Sequence, residues 1–141
     1  MKSRIILTAV LLSLGTVSCV HNLSKDKYSQ PDGVEILCFH TSQRCVTCRA
    51  IEGLAQQVVA EFADQQDSGI LRLKVIDIST REGEQLADRY EVASTSIVIT
   101  HWSDGVERFE YITPLAFKTA RTSPEVFVKE LQTRVEVLLK E

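Results

Sequence analysis

Cys45 and Cys48 stand three positions apart, between an apolar run at 34–39 and an amphipathic segment at 51–62. A C-x-x-C pair where a strand turns into a helix is a pattern for thiol–disulfide exchange. With both cysteines in the first helical turn, their Cα atoms are expected about 5 Å apart and their side chains on one face. A disulfide there can open and close with little backbone movement. The unsatisfied N–H groups and positive dipole end of the helix favour a thiolate, and Arg44 directly before Cys45 adds a cation. Cys45 is therefore the expected nucleophile. Cys48, one helical step deeper, is the expected resolving thiol, and no organic cofactor is implied.

Other candidate residues surround this pair. Cys38 lies on a strand, where a cysteine ordinarily serves as a small hydrophobe; a third redox or metal-binding sulfur is the alternative. His40 and His101, near the ends of their strands, could converge on the motif, although each reads first as a hydrogen-bonded histidine. Arg49 reads as a solvated helix residue that adds to the local positive field, and Trp102 as a packing residue at a sheet edge. A metal site needs three or four ligands, and one C-x-x-C supplies two. A soft-metal carrier would need Cys38, His40 or a second molecule to complete the set.

The elements that must position these groups are legible in the pattern. Residues 34–39, after Pro31-Asp32-Gly33, read as a central strand buried on both faces. Ile51, Leu54, Ala55, Val58, Val59 and Phe62 recur at helix spacing, and Gly69 is expected to end that helix. Residues 70–78 form a second strand, parallel to the first through a right-handed crossover. Ser79-Thr80-Arg81-Glu82 has capping-box spacing for a helix through Leu86, Ala87 and Tyr90. Residues 96–102 and 106–112 flank Asp104-Gly105 as a hairpin. Ser123-Pro124 starts a last helix burying Val128, Leu131, Val135 and Leu138.

The first residues look like an export signal: Lys2 and Arg4, an apolar core at 5–14, then small residues before Cys19. This divides the 141 residues into a signal at 1–18, a tether at 19–33 and one domain at 34–141. The apolar stretch is too short for a comfortable membrane span of about 20 residues. Cys19 resembles a bacterial lipidation site, with Thr16 where a large aliphatic residue is usual; plain cleavage near Ser18 and an uncleaved anchor are the alternatives. The expected location is thus the periplasm or a lipid attachment to the membrane. Losing Lys2 and Arg4 would take the net charge from −3 to −5. Neither a basic cluster nor basic–aromatic interleaving suggests nucleic acid.

The order β-α-β-α-β-β-α, with Cys45-Val46-Thr47-Cys48 at the first helix, resembles the thioredoxin family over nearly all of residues 34–141. Val75-Ile76-Asp77 resembles the end of that family's second strand, and 90–105 its run from second helix to hairpin. The resemblance implies an α/β fold with a central mixed sheet flanked by helices. It also implies thiol–disulfide exchange; with the export-like start, the expected partners are envelope thiol or disulfide proteins or small thiols, served by a redox donor or acceptor. Thr95 or Ser96 occupies the place of the family's cis-proline, where a non-proline residue favours a trans peptide. Trp before the first cysteine and Gly-Pro between the two are missing. Cys38 falls where the family keeps a buried acid beneath the second cysteine, which leaves His40 or water as the proton acceptor. An inactive thioredoxin-like interaction module is the third class of reading.

Overall fold

The computed structural model describes residues 30–141. The expected signal and Cys19 lie outside the described residues, as does most of the expected tether. Strands β1 (Gly33–His40), β2 (Leu71–Asp77), β3 (Ser96–Ser103) and β4 (Val106–Tyr111) form one mixed sheet in the order β2-β1-β3-β4. β1 runs parallel to β2 and antiparallel to β3, which is antiparallel to β4. Helices α1 (Val46–Ala60), α2 (Ala63–Asp67), α3 (Arg81–Arg89), α4 (Thr113–Thr119) and α5 (Pro124–Leu138) complete the chain. This is the expected α/β order with two short helices added.

Alternation along β1 divides the core. Val34, Ile36 and Cys38 join Ile51, Ala55 and Val58 of α1 and Phe127, Leu131 and Val135 of α5 on one side of the sheet. Leu37 and Phe39 pack on the other side with Ala87, Tyr90 and Val98 beneath α3. β1 is covered on both faces, as its apolar run predicts. Its one acid, Glu35, is 2% exposed and held by Arg72 at 3.1 Å and Lys74 at 2.7 Å. Arg72 also donates to the carbonyls of Pro31 and Gly69, so a buried charge is matched and the starts of β1 and β2 are tied together.

The first long helix is shorter than Gly69 suggests. Its apolar stripe ends at Phe62, whose backbone (φ −108°, ψ 45°) leaves the helix, and the following turn, α2, buries no residue. Gly69, at φ +77°, then takes the left-handed turn into β2. Thr80, rather than Ser79, caps α3: its hydroxyl accepts from Gly83 N at 3.0 Å, while Ser79 bonds back to Asp77. Asp104 and Gly105, at φ +53° and +76°, make the expected hairpin turn.

Helix α4 was not expected, although Thr113-Pro114 offers a proline at a helix start; it buries Ala116 and Thr119. α5 begins at Pro124 as read, without a side-chain cap from Ser123. Its core stripe is Phe127, Leu131 and Val135, and Val128 and Leu138 pack at the margin.

A methyl group on Gly83 would collide with the backbone carbonyl of Asp77, at the junction of α3 with the end of β2. Gly83→Ala is predicted to lower unfolding stability by about 1–3 kcal/mol, read from the urea midpoint at an unchanged slope.

Candidate active site

The parallel pair β1 and β2 end side by side, with His40 opposite Asp77, and antiparallel β3 begins there, with Ser96 opposite Phe39. From this edge residues 41–44 lead to Cys45, which has extended backbone (φ −71°, ψ 164°) and caps α1. Cys45 Sγ accepts the Cys48 N–H at 3.1 Å, and Cys45 O accepts from Arg49 N at 3.1 Å. An oxygen of Ser, Thr, Asp or Asn commonly fills this role; here a sulfur satisfies one of the helix's otherwise orphaned donors.

Cys45 and Cys48 form a disulfide with Cα atoms 5.1 Å apart. Cys45 is exposed and Cys48 only 7% exposed. The difference follows from helical spacing. Cys48 begins the buried stripe that continues through Ile51, Ala55 and Val58, whereas Cys45 sits at the rim before that stripe starts. Val46, 61% exposed, adds an apolar surface beside the outer sulfur.

Thr95 meets the inner sulfur, with Oγ1 3.4 Å from Cys48 Sγ. A disulfide sulfur has no proton, so the hydroxyl is the donor. Ser96 instead opens β3 as the partner of Phe39. No cis peptide occurs among the described residues, so Thr95 and Ser96 both follow trans bonds. The position of Thr95 is fixed through its neighbour but one. Ile97 N donates to Thr113 Oγ1 at 3.0 Å, and the same hydroxyl donates to Ile97 O at 3.2 Å.

Arg44 does not stand as an isolated cation beside Cys45. Its guanidinium pairs with Glu52, two turns into α1. Its charge opposes the upward shift that burial imposes on Cys38, and it adds a smaller pull to the hydrogen bonds from Ser79 that hold the Asp77 carboxyl below its usual range. The first turn of α1 carries no acid, so the helix end itself supplies an uncancelled positive potential there. Arg49 is exposed on the same turn. His40 Nδ1 lies 2.9 Å from Thr41 O, which can only accept, so Nδ1 is the donor of this bond.

His101 does not join this group. It pairs with Val34 at the far end of β1, five residues or about 17 Å along the strand from the Phe39–Ser96 pair. There its Nδ1 accepts from Arg108 at 3.1 Å. Trp102 is buried on the inner strand β3 rather than at a sheet edge, with Arg89 5.7 Å from its ring centre. Among the described residues no group of three or more His, Cys, Asp or Glu is placed to hold a metal ion.

Two residues of the site escaped the sequence reading. Glu52 lies eight residues after Arg44, a separation of two helical turns that was available as a signal. Thr113 carries none, because its contact with Ile97 depends on the β3–β4 hairpin returning the chain to the start of β3.

Cys38 is a buried free thiol on β1, facing α1 within the core that includes Ile51 and Ile97. Burial pushes its pKa from 9.0 up to about 12, against the opposing pull of Arg44. The folded protein keeps this proton while the unfolded chain loses it near pH 9, so the associated stability is complete below pH 9 and declines as pH rises toward 12. In urea unfolding of the oxidised protein between pH 9 and 11, Cys38→Val is predicted to reduce the alkaline slope by about 1.4 kcal/mol per pH unit. Equal slopes for both proteins would contradict this assignment.

No family model matches the sequence, and a search of curated proteins returns no significant match. Among solved structures, the chain is similar to a thioredoxin from Thermus thermophilus at 19% identity and a TM-score of 0.45, covering 72% of each chain. It is also similar to a malarial protein at 15% identity and a TM-score of 0.38, covering 63% of this chain and 93% of that one. These distant likenesses concern the fold alone. By its own strand order, strand directions and helix placement, the chain has a thioredoxin-like fold with a closed cysteine pair at the start of the first helix.

Proposed function

We propose that the protein performs thiol–disulfide exchange, with Cys45 as the attacking and Cys48 as the resolving sulfur. One observation carries the reading: an exposed sulfur at a helix N-terminus is joined to a buried one by a disulfide. The outer sulfur can be approached, and its anion is favoured by the Cys48 N–H and the helix dipole. The inner sulfur is protected from other thiols and lies within bonding distance of the first.

In the reducing direction the Cys45 thiolate attacks one sulfur of a substrate disulfide, whose S–S bond breaks and whose second sulfur leaves as a thiolate. The Cys48 thiolate then attacks Cys45 Sγ, forms the Cys45–Cys48 bond and expels the remaining substrate thiolate. The substrate gains two electrons and the protein loses two. A dithiol donor must return them for a second cycle, and the oxidising direction is the same sequence reversed.

The substrates we propose are envelope proteins or small thiols. The export-like sequence at 1–18 supports that location, and attachment through a lipid on Cys19 would confine the domain to the membrane surface. No described helix is long and apolar enough to cross a membrane. In an oxidising compartment the resting pair would be a disulfide, so a reducing role there requires the dithiol donor.

Cys48→Ser is predicted to accumulate mixed disulfides through Cys45 that disappear on reduction, resolved by non-reducing electrophoresis and mass spectrometry. Cys45→Ser is predicted to trap none, and both variants to lose catalytic reduction of an insulin-type disulfide. Full turnover by either variant would refute the two-sulfur mechanism.

A further inference from the structure

We propose that the Thr95 hydroxyl is a catalytic hydrogen-bond donor to Cys48, stabilising negative charge on that sulfur when it attacks or leaves. This deepens the exchange reading above and rests on it. Thr95 Oγ1 is 3.4 Å from Cys48 Sγ in the oxidised pair. In both directions of exchange the transition state places partial negative charge on Cys48, because this sulfur is the nucleophile that closes the disulfide or the leaving group when it opens. When Cys48 leaves, a donor already directed at that atom strengthens as the charge grows and needs no reorganisation; when Cys48 attacks, the same donor raises the fraction present as thiolate.

The surroundings make this contact consequential. Cys48 is 7% exposed, so water has little access to solvate its anion. The nearby strand β1 offers Cys38, a thiol kept neutral by burial, rather than a carboxylate able to take the Cys48 proton. The Cys48 N–H in the first turn of α1 is spent on the outer sulfur, Cys45 Sγ. The Thr95 hydroxyl supplies polarity to the inner sulfur. The Thr113 hydroxyl, bonded to both N and O of Ile97, anchors the strand two residues beyond and restrains the donor. Through its side chain Thr95 can act on the resolving step.

The decisive experiment follows the reduced full chain with 5,5′-dithiobis(2-nitrobenzoate) by stopped-flow absorbance, in a Cys19→Ser background. Attack by Cys45 releases the first nitrothiolate, and closure by Cys48 releases the second. Thr95→Val keeps the β-branched shape and removes the hydroxyl. Its second phase should slow about three- to fourfold below the midpoint and its pH midpoint should rise by about one unit, with the first phase unchanged. Thr95→Ser should restore both values. If wild type runs both phases and Thr95→Val matches it in rate and midpoint, the proposal is overturned while exchange stands. Failure of wild type to release a second equivalent would overturn the exchange reading and this proposal together.

Discussion

The bond from the Cys48 N–H to Cys45 Sγ joins secondary structure to chemistry in this protein. A helix must satisfy its first N–H groups, and here one of them turns to a sulfur that can also be a nucleophile. The same contact that starts α1 therefore favours charge on the reacting atom. Favourable charges at a helix N-terminus contribute about 0.3–1 kcal/mol at exposed sites and up to about 2 kcal/mol in partly buried ones. The exposed position of Cys45 lowers the gain but permits approach by a substrate. The buried position of Cys48 follows from the stripe that anchors α1 to the sheet.

Charge balance around the pair is more restrained than the local sequence suggests. Arg44 precedes Cys45, but its ion pair with Glu52 offsets much of its field. Potential at the outer sulfur then depends chiefly on the oriented N–H groups, which salt and neighbouring acids displace less readily than a mobile cation. Beneath the motif, Cys38 fills space on β1 as a neutral thiol. The inner sulfur is consequently served by a hydroxyl from the start of β3. An uncharged donor costs less to bury than a carboxylate, and it can polarise the sulfur without accepting its proton.

The architecture was legible where periodicity is strong. The 51–62 stripe, the apolar run of β1 and the Asp-Gly hairpin each reflect a local rule, and together they set the order of the sheet and the place of the motif. The division between an outer and an inner cysteine followed from helix geometry for the same reason. What escaped depends mostly on contacts between distant segments. Arg44 reads first as a neighbour of Cys45, although its eight-residue spacing to Glu52 offered a local signal, and Thr113 acquires its role only when the hairpin brings it to Ile97. His101 illustrates the converse: proximity to a strand end means little until strand direction says which end, and antiparallel β3 carries it away from the motif. Phe127 displaced Val128 from the centre of the core because the crossing of α5 over the sheet selects among adjacent apolar residues.

The central claim concerns the reactivity of one sulfur, and the most direct measurement is the rate of Cys45 alkylation by iodoacetamide in the reduced protein as a function of pH, quantified by mass spectrometry. A thiolate favoured by the end of α1 should reach half its maximal rate well below the ordinary cysteine value of about 8.5. A midpoint at or above that value would show that the helix end does not activate Cys45, and would contradict the account.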